Sequence, residues 1–148
     1  MKKLLFLATV ILFSVQLQAQ ILTPVHWSYG FKKTGKNEAV IFMKATIDEG
    51  WHIYSQNMKD GGPVQTKFTF PATKGYTIVG KTIEPTPITH FEKTFNMEVS
   101  YFATTVTFQQ KVKLTTGQAT IKGTLEYMTC NDKQCLPPED IDFTVAVK

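Results

Sequence analysis

The chain of 148 residues carries 16 lysines, no arginine and 12 acidic residues, for a formal net charge of +4. A nucleic-acid surface clusters lysine with arginine; here the lysines lie among acidic residues, which argues against nucleic acid as a partner. Of the candidate soft ligands, Cys130, Cys135, Met128, His26, His52 and His90, no two histidines stand at a short ligand spacing, so no metal or cofactor is expected.

Met1-Lys2-Lys3 is a basic start, residues 4–15 form a nearly unbroken apolar run, and Leu17-Gln18-Ala19 places a small residue before Gln20. This is the pattern of a secretory signal peptide, with cleavage expected after Ala19. The apolar run is about a dozen residues, short of the roughly 20 that span a bilayer, and no later segment is longer, so the mature chain is expected to have no membrane span. Losing Lys2 and Lys3 lowers the charge to +2. Residues 20–148 are then expected to be one domain, large enough to bury its own core.

Along that domain the apolar residues recur at a period of two. Val25, Trp27, Tyr29 and Phe31 alternate with His26, Ser28 and Gly30, the mark of a strand with one buried face, and residues 32–37 form a turn region. Ala39, Ile41, Met43, Ala45 and Ile47 make a second strand, broken by Asp48-Glu49-Gly50. In Trp51-His52-Ile53-Tyr54 the apolar face is Trp51 and Ile53, so His52 and Tyr54 share the opposite face. Gly61-Gly62-Pro63 reads as a turn, residues 66–70 as a strand stopped by Pro71, and residues 76–83 as one strand or two short ones.

From residue 84 to 97 the alternation lapses around Pro85 and Pro87, which predicts a long exposed loop. Residues 99–108 read as one long strand, Val112 and Leu114 as a further short one, and Gly117 as a turn. Helical periodicity is absent after the signal peptide. About eight or nine short antiparallel strands without helices predict an all-β, immunoglobulin-like sandwich, with Trp27, Ile41, Trp51, Phe68, Leu125 and Phe143 among its buried residues.

Ala119, Ile121, Leu125 and Tyr127 then alternate with polar residues up to Cys130, and Ile141, Phe143, Val145 and Val147 alternate after Cys135-Leu136-Pro137-Pro138. The two cysteines therefore flank the loop of a predicted hairpin, where their Cβ atoms can reach bonding distance across the ladder. A staple is the common use of two cysteines in an exported protein. A ring of six residues restrains the unfolded chain little, however, contributing roughly 2 kcal/mol, and a loop leaves the sulfurs reachable by a partner. Asp132, Glu139 and Asp140 outnumber Lys133 nearby and disfavour a thiolate. Such a pair is a reluctant nucleophile, suited to being attacked as a disulfide. No serine–histidine–acid arrangement, phosphate-cradling loop or paired catalytic carboxylate can be singled out.

The run Tyr127-Met-Thr-Cys130-Asn-Asp-Lys-Gln-Cys135-Leu-Pro-Pro-Glu139, with Gly50-Trp-His-Ile-Tyr54 upstream and Phe95-Asn-Met-Glu-Val-Ser-Tyr101 between, closely resembles the N-terminal periplasmic domains of the thiol:disulfide interchange protein DsbD family. The similarity covers essentially the mature chain. It implies a periplasmic immunoglobulin-like domain, a thiol:disulfide oxidoreductase-type carrier passing reducing equivalents from a membrane electron transporter to thioredoxin-like proteins, including those of cytochrome c maturation. On the matching positions, Cys130 and Cys135 would be the redox pair, Phe95 the aromatic of a cap loop laid over the disulfide, and His52 and Tyr54 the residues lining the site. The best-known members have a longer cysteine loop, an acidic pair where this chain has Lys93-Thr94, and further domains fused downstream. With the sequence ending at Lys148, a stand-alone copy is expected, its thiol reductase supplied in trans. The rival expectation is a non-catalytic immunoglobulin-like binding module whose disulfide is structural.

Overall fold

Period-two alternation becomes eleven strands in the computed structural model, which describes residues 22–59 and 61–148. The signal-peptide reading falls outside these residues. The strands are β1 (Val25–Gly35), β2 (Glu38–Ile47), β3 (His52–Tyr54), β4 (Lys67–Thr69), β5 (Tyr76–Ile83), β6 (Ile88–Glu92), β7 (Met97–Ala103), β8 (Thr105–Leu114), β9 (Ala119–Tyr127), β10 (Thr129–Cys130) and β11 (Glu139–Val147). Among the described residues there is no helix.

Three antiparallel sheets result, ordered β1-β2-β8-β5, β10-β3-β7-β6 and β11-β9-β4. The first and third pack face to face as an immunoglobulin-like sandwich. Ile41, Met43 and Phe108 from one sheet meet Ile121, Leu125 and Phe143 from the other. Aromatic rings lock the layers: Trp27 meets Phe68 and Tyr127 edge-on at 6.0 and 5.5 Å, and Tyr29 stacks on Phe143 at 4.7 Å. That stack needs Gly123, where a Cβ would lie 2.5 Å from the Phe143 ring. Ile41, Leu125 and Phe143 are buried, whereas Trp27, Trp51 and Phe68 are half-buried against the core, large rings reaching its margin.

Residues 76–83 form one strand. Its pairing with β8 shifts between Val79 and Ile83, around Gly80 at φ 70°, and buried Gln110 fills the gap by donating to the Val79 and Lys111 carbonyls and accepting from the Thr82 hydroxyl.

Three sequence readings need correction. Val112 and Leu114, expected as a further short strand, are the end of β8, which runs unbroken from Thr105. The expected long strand over residues 99–108 is two strands, β7 and β8, in different sheets. Thr104, at φ 65°, turns the chain between them, and a single left-handed residue leaves no trace in the alternation. The expected loop over residues 84–97 contains β6, which pairs with β7 as a hairpin with residues 93–96 at its tip. Pro85 and Pro87 only delay that strand. β6 is the edge of its sheet, where one row of N–H groups has no partner to satisfy.

Candidate functional site

The sheet β10-β3-β7-β6 has two working faces. Ile53 and Phe102 point into the sandwich core, while Tyr54, Val99 and Cys130 form a separate buried cluster on the other face, flanked by Met58, Met97, Tyr101 and Met128. Strand pairing builds the site on this second face. Cys130 lies directly opposite His52, which lies opposite Ala103, and on its other side Cys130 bridges to Cys135. Side chains directly opposite in an antiparallel ladder share a face, with Cβ atoms about 4.5–5.5 Å apart. His52, Cys130 and Cys135 therefore form one cross-strand rung.

The residues between the cysteines are turn chemistry. The Asn131 side-chain oxygen accepts from the backbone N–H of Lys133 and of Gln134, both at 2.9 Å, and Asn131 N–H donates to the Gln134 carbonyl at 2.9 Å. Outside the turn, Leu136 N–H donates to the Thr129 carbonyl, and the Thr129 hydroxyl to the His52 carbonyl, each at 2.9 Å. The loop is thus tied to β3, and Cys130 and Cys135 are joined as a disulfide, with Cα atoms 4.0 Å apart. The two sulfurs have different surroundings: Cys130 is 2% exposed, whereas Cys135 stands on the surface.

Beside the disulfide is a cavity of about 230 Å³. Both cysteines, His52, Tyr54 and Phe95 line it, Phe95 reaching in half-buried from the tip of the β6–β7 hairpin. Asn96, at φ 52°, closes that tip. His90 and Glu92 from β6, Tyr101 from β7, and Asn131 and Asp132 from the cysteine loop complete the wall. Sequence reading weighed His90 only as an isolated metal ligand and passed over Glu92 and Tyr101. Residues 88–92 carry no apolar alternation that could have signalled the strand; only once β6 is known do His90 and Glu92, two apart, share a face. His26 lies elsewhere, 3.7 Å from Asp48. A larger cleft, about 520 Å³, lies between β4 and β5 and contains neither cysteine.

The cavity's rings are coupled. His52 Nε2 is 3.2 Å from Tyr54 Oη, and the His52 ring tilts against Tyr101 at 4.9 Å, with His90 edge-on to Tyr101 at 5.0 Å. Burial pushes the Tyr54 phenol up to about 12, helped by the negative charge of Glu92, so it keeps its proton at neutral pH. Burial also holds His52 below the ordinary histidine value, with His90 adding to the effect and Glu92 and Asp132 opposing it. Glu92 is held below the usual carboxylate range, mainly by the Thr94 backbone N–H, and it lies 3.3 Å from His90 Nε2. Among the described residues no set of three histidine, cysteine or carboxylate groups is arranged to hold a metal ion.

A family model described as thiol:disulfide interchange protein DsbD, N-terminal, matches residues 18–146. The chain belongs to the DsbD N-terminal domain family. The fold agrees. The N-terminal periplasmic domain of ScsB from Proteus mirabilis superposes with a TM-score of 0.61 at 16% identity, over 88% of this chain and 49% of that one. The reduced DsbD N-terminal domain of Neisseria meningitidis gives 0.56 at 12% identity, over 81% of this chain and 84% of that one. The Neisseria meningitidis complex between DsbD N-terminal and PilB N-terminal domains gives 0.53 at 12% identity, over 84% and 87%. This chain thus spans about half the length of the ScsB domain. No curated protein matches in sequence.

Proposed function

We propose that this DsbD N-terminal family member is an exported redox carrier. In this reading residues 1–19 are the signal peptide, and Cys130 and Cys135 of the periplasmic domain 20–148 cycle between disulfide and dithiol. They pass reducing equivalents between a membrane thiol reductase and thioredoxin-like or cytochrome c maturation proteins. The observation that carries the reading is the unequal exposure of the two sulfurs beside an open cavity. A thiolate attacks a disulfide in line with the S–S bond, forming a mixed disulfide and expelling the far sulfur. Here the attacker reaches Cys135 from solvent, and Cys130 leaves into the buried cluster.

The remaining site residues take roles around that step. Phe95 is a lid that keeps stray thiols from the disulfide until a partner displaces the hairpin tip. His52 and Tyr54 line the chamber beneath it. A complex between a DsbD N-terminal domain and a PilB N-terminal domain supports docking of a partner domain by this fold, which the proposal extends to thioredoxin-like partners of this chain.

The reduction potential separates this reading from a structural staple in a binding module. Equilibration of the purified domain in thiol–disulfide buffers is expected to place the pair above about −300 mV, the region of labile disulfides. A value below it, with no exchange with a purified thioredoxin, overturns the carrier reading.

A further inference from the structure

Reduction of this disulfide leaves one sulfur in difficulty. When a partner thiolate attacks Cys135, the electron pair of the broken bond goes to Cys130 Sγ, a residue 2% exposed and packed with Tyr54 and Val99. A thiolate there has lost most of its hydration, and burial favours the thiol. No lysine lines the cavity, so no ammonium compensates the charge. The side chain directly across the ladder from Cys130, on the same face, is His52.

We propose that His52 is the proton exchanger of the Cys130 sulfur: as imidazolium it protonates the Cys130 thiolate when the pair is reduced, and as neutral imidazole it removes that proton when the pair is re-oxidised. The inference rests on the exchange reading above and assigns the proton that reading left unplaced. The steps balance. The partner's first thiolate bonds to Cys135 Sγ, the Cys135–Cys130 bond breaks, and the proton moves from His52 to Cys130. The partner's second thiolate then attacks the partner sulfur of the mixed disulfide and expels the Cys135 thiolate, which takes a proton from water at the exposed loop. His52 recovers its proton from water in the cavity. The partner dithiol has become a disulfide, and the domain holds two thiols.

The surroundings of His52 suit both forms. In the neutral ring Nε2–H donates to Tyr54 Oη, 3.2 Å away, which leaves the Nδ1 lone pair to take the Cys130 proton, and in the imidazolium Tyr54 still accepts from Nε2 while Nδ1–H is the acid. The phenol never competes for the proton, because it stays protonated to about pH 12. The groups facing the ring are Tyr54 on β3, Tyr101 on β7, His90 and Glu92 on β6, and Asp132 in the cysteine loop. Glu92 and Asp132 favour the imidazolium, whereas burial and His90 favour the neutral ring and prevail. At neutral pH the ring therefore waits as a base, poised for Cys130 to attack Cys135 Sγ of the mixed disulfide, re-form the domain's disulfide and release the partner in its reduced form.

The test is a pH profile of disulfide reduction in the mature chain, with dithiothreitol and purified thioredoxin as reductants and each rate divided by the reductant's thiolate concentration. In the parent, the corrected rate is expected to rise as pH falls through the His52 titration. In His52→Gln it should stay flat, on the order of a hundredfold below the parent's acid plateau, the lower end of what a positioned acid supplies. His52→Ala should be slow in the same way and recover with added imidazole, which a packing role would not show. Parallel profiles in parent and His52→Gln, or a His52→Ala defect that imidazole leaves unchanged, overturn the inference while exchange itself stands. A parent disulfide that thioredoxin does not reduce at any pH overturns the carrier reading and this inference with it.

Discussion

The two faces of the sheet β10-β3-β7-β6 come from the same strands and are put to different ends. On the inner face Ile53 and Phe102 join a large core built from all three sheets, and on the outer face Tyr54, Val99 and Cys130 form a small cluster with only half-buried neighbours around it. Alternation along β3 and β7 puts one residue into each environment in turn. The inner face supplies stability to both, and on the exchange reading the outer face is therefore free to hold a covalent bond that need not be permanent.

The comparison is sharpest for the core. Phe108 is fully buried and contacts Trp27, Phe68 and Phe102. Phe108→Ala is expected to cost about 3–5 kcal/mol in urea unfolding, as large-to-small aromatic changes do, with the reduction potential of the molecules still folded unchanged. A shift in potential matching the stability loss would show the faces to be coupled.

The double replacement Cys130→Ser with Cys135→Ser should cost about 2 kcal/mol, the entropy of a six-residue ring, against typical domain stabilities of about 5–15 kcal/mol. Unfolding should stay cooperative while exchange with thioredoxin disappears. A double variant that cannot fold would assign the disulfide to the structural class and erase the difference between the faces.

Phe95→Ala should change stability by less than about 1 kcal/mol, since the ring is half-buried at a hairpin tip, yet speed reduction of the disulfide by dithiothreitol. Equal rates for variant and parent, both folded, would leave Phe95 as local packing.

The smallest expected effect is on acid stability. The folded state holds His52 below its ordinary 6.5, so below that pH the unfolded chain binds the proton more readily and stability is lost as pH falls. The parent should therefore lose more stability than His52→Gln between pH 6.5 and the lower folded value, seen as a diverging pair of urea midpoints. Midpoints that fall in parallel would mean the ring feels no burial.

Much of this was legible beforehand. Residues 25–31 and 119–127 carry alternation, so strand type and inward face followed from period there. The shared face of His52 and Tyr54 was readable for the same reason. The β6–β7 hairpin was not, because Pro85 and Pro87 break the pattern just before β6, which starts only at Ile88. Glu92 went unnoticed with it, and His90 stood only as an isolated candidate ligand.

By itself the sequence determined the all-β class, the alternating faces and the six-residue cysteine ring, because these depend on neighbours one to five positions apart. The tertiary structure alone decided that β10 pairs with β3, placing Cys130 against His52 across a separation of 78 residues, and that one sulfur is buried while the other is not. Those outcomes depend on register between distant strands and on what the rest of the sandwich covers, and neither leaves a local signature in the chain.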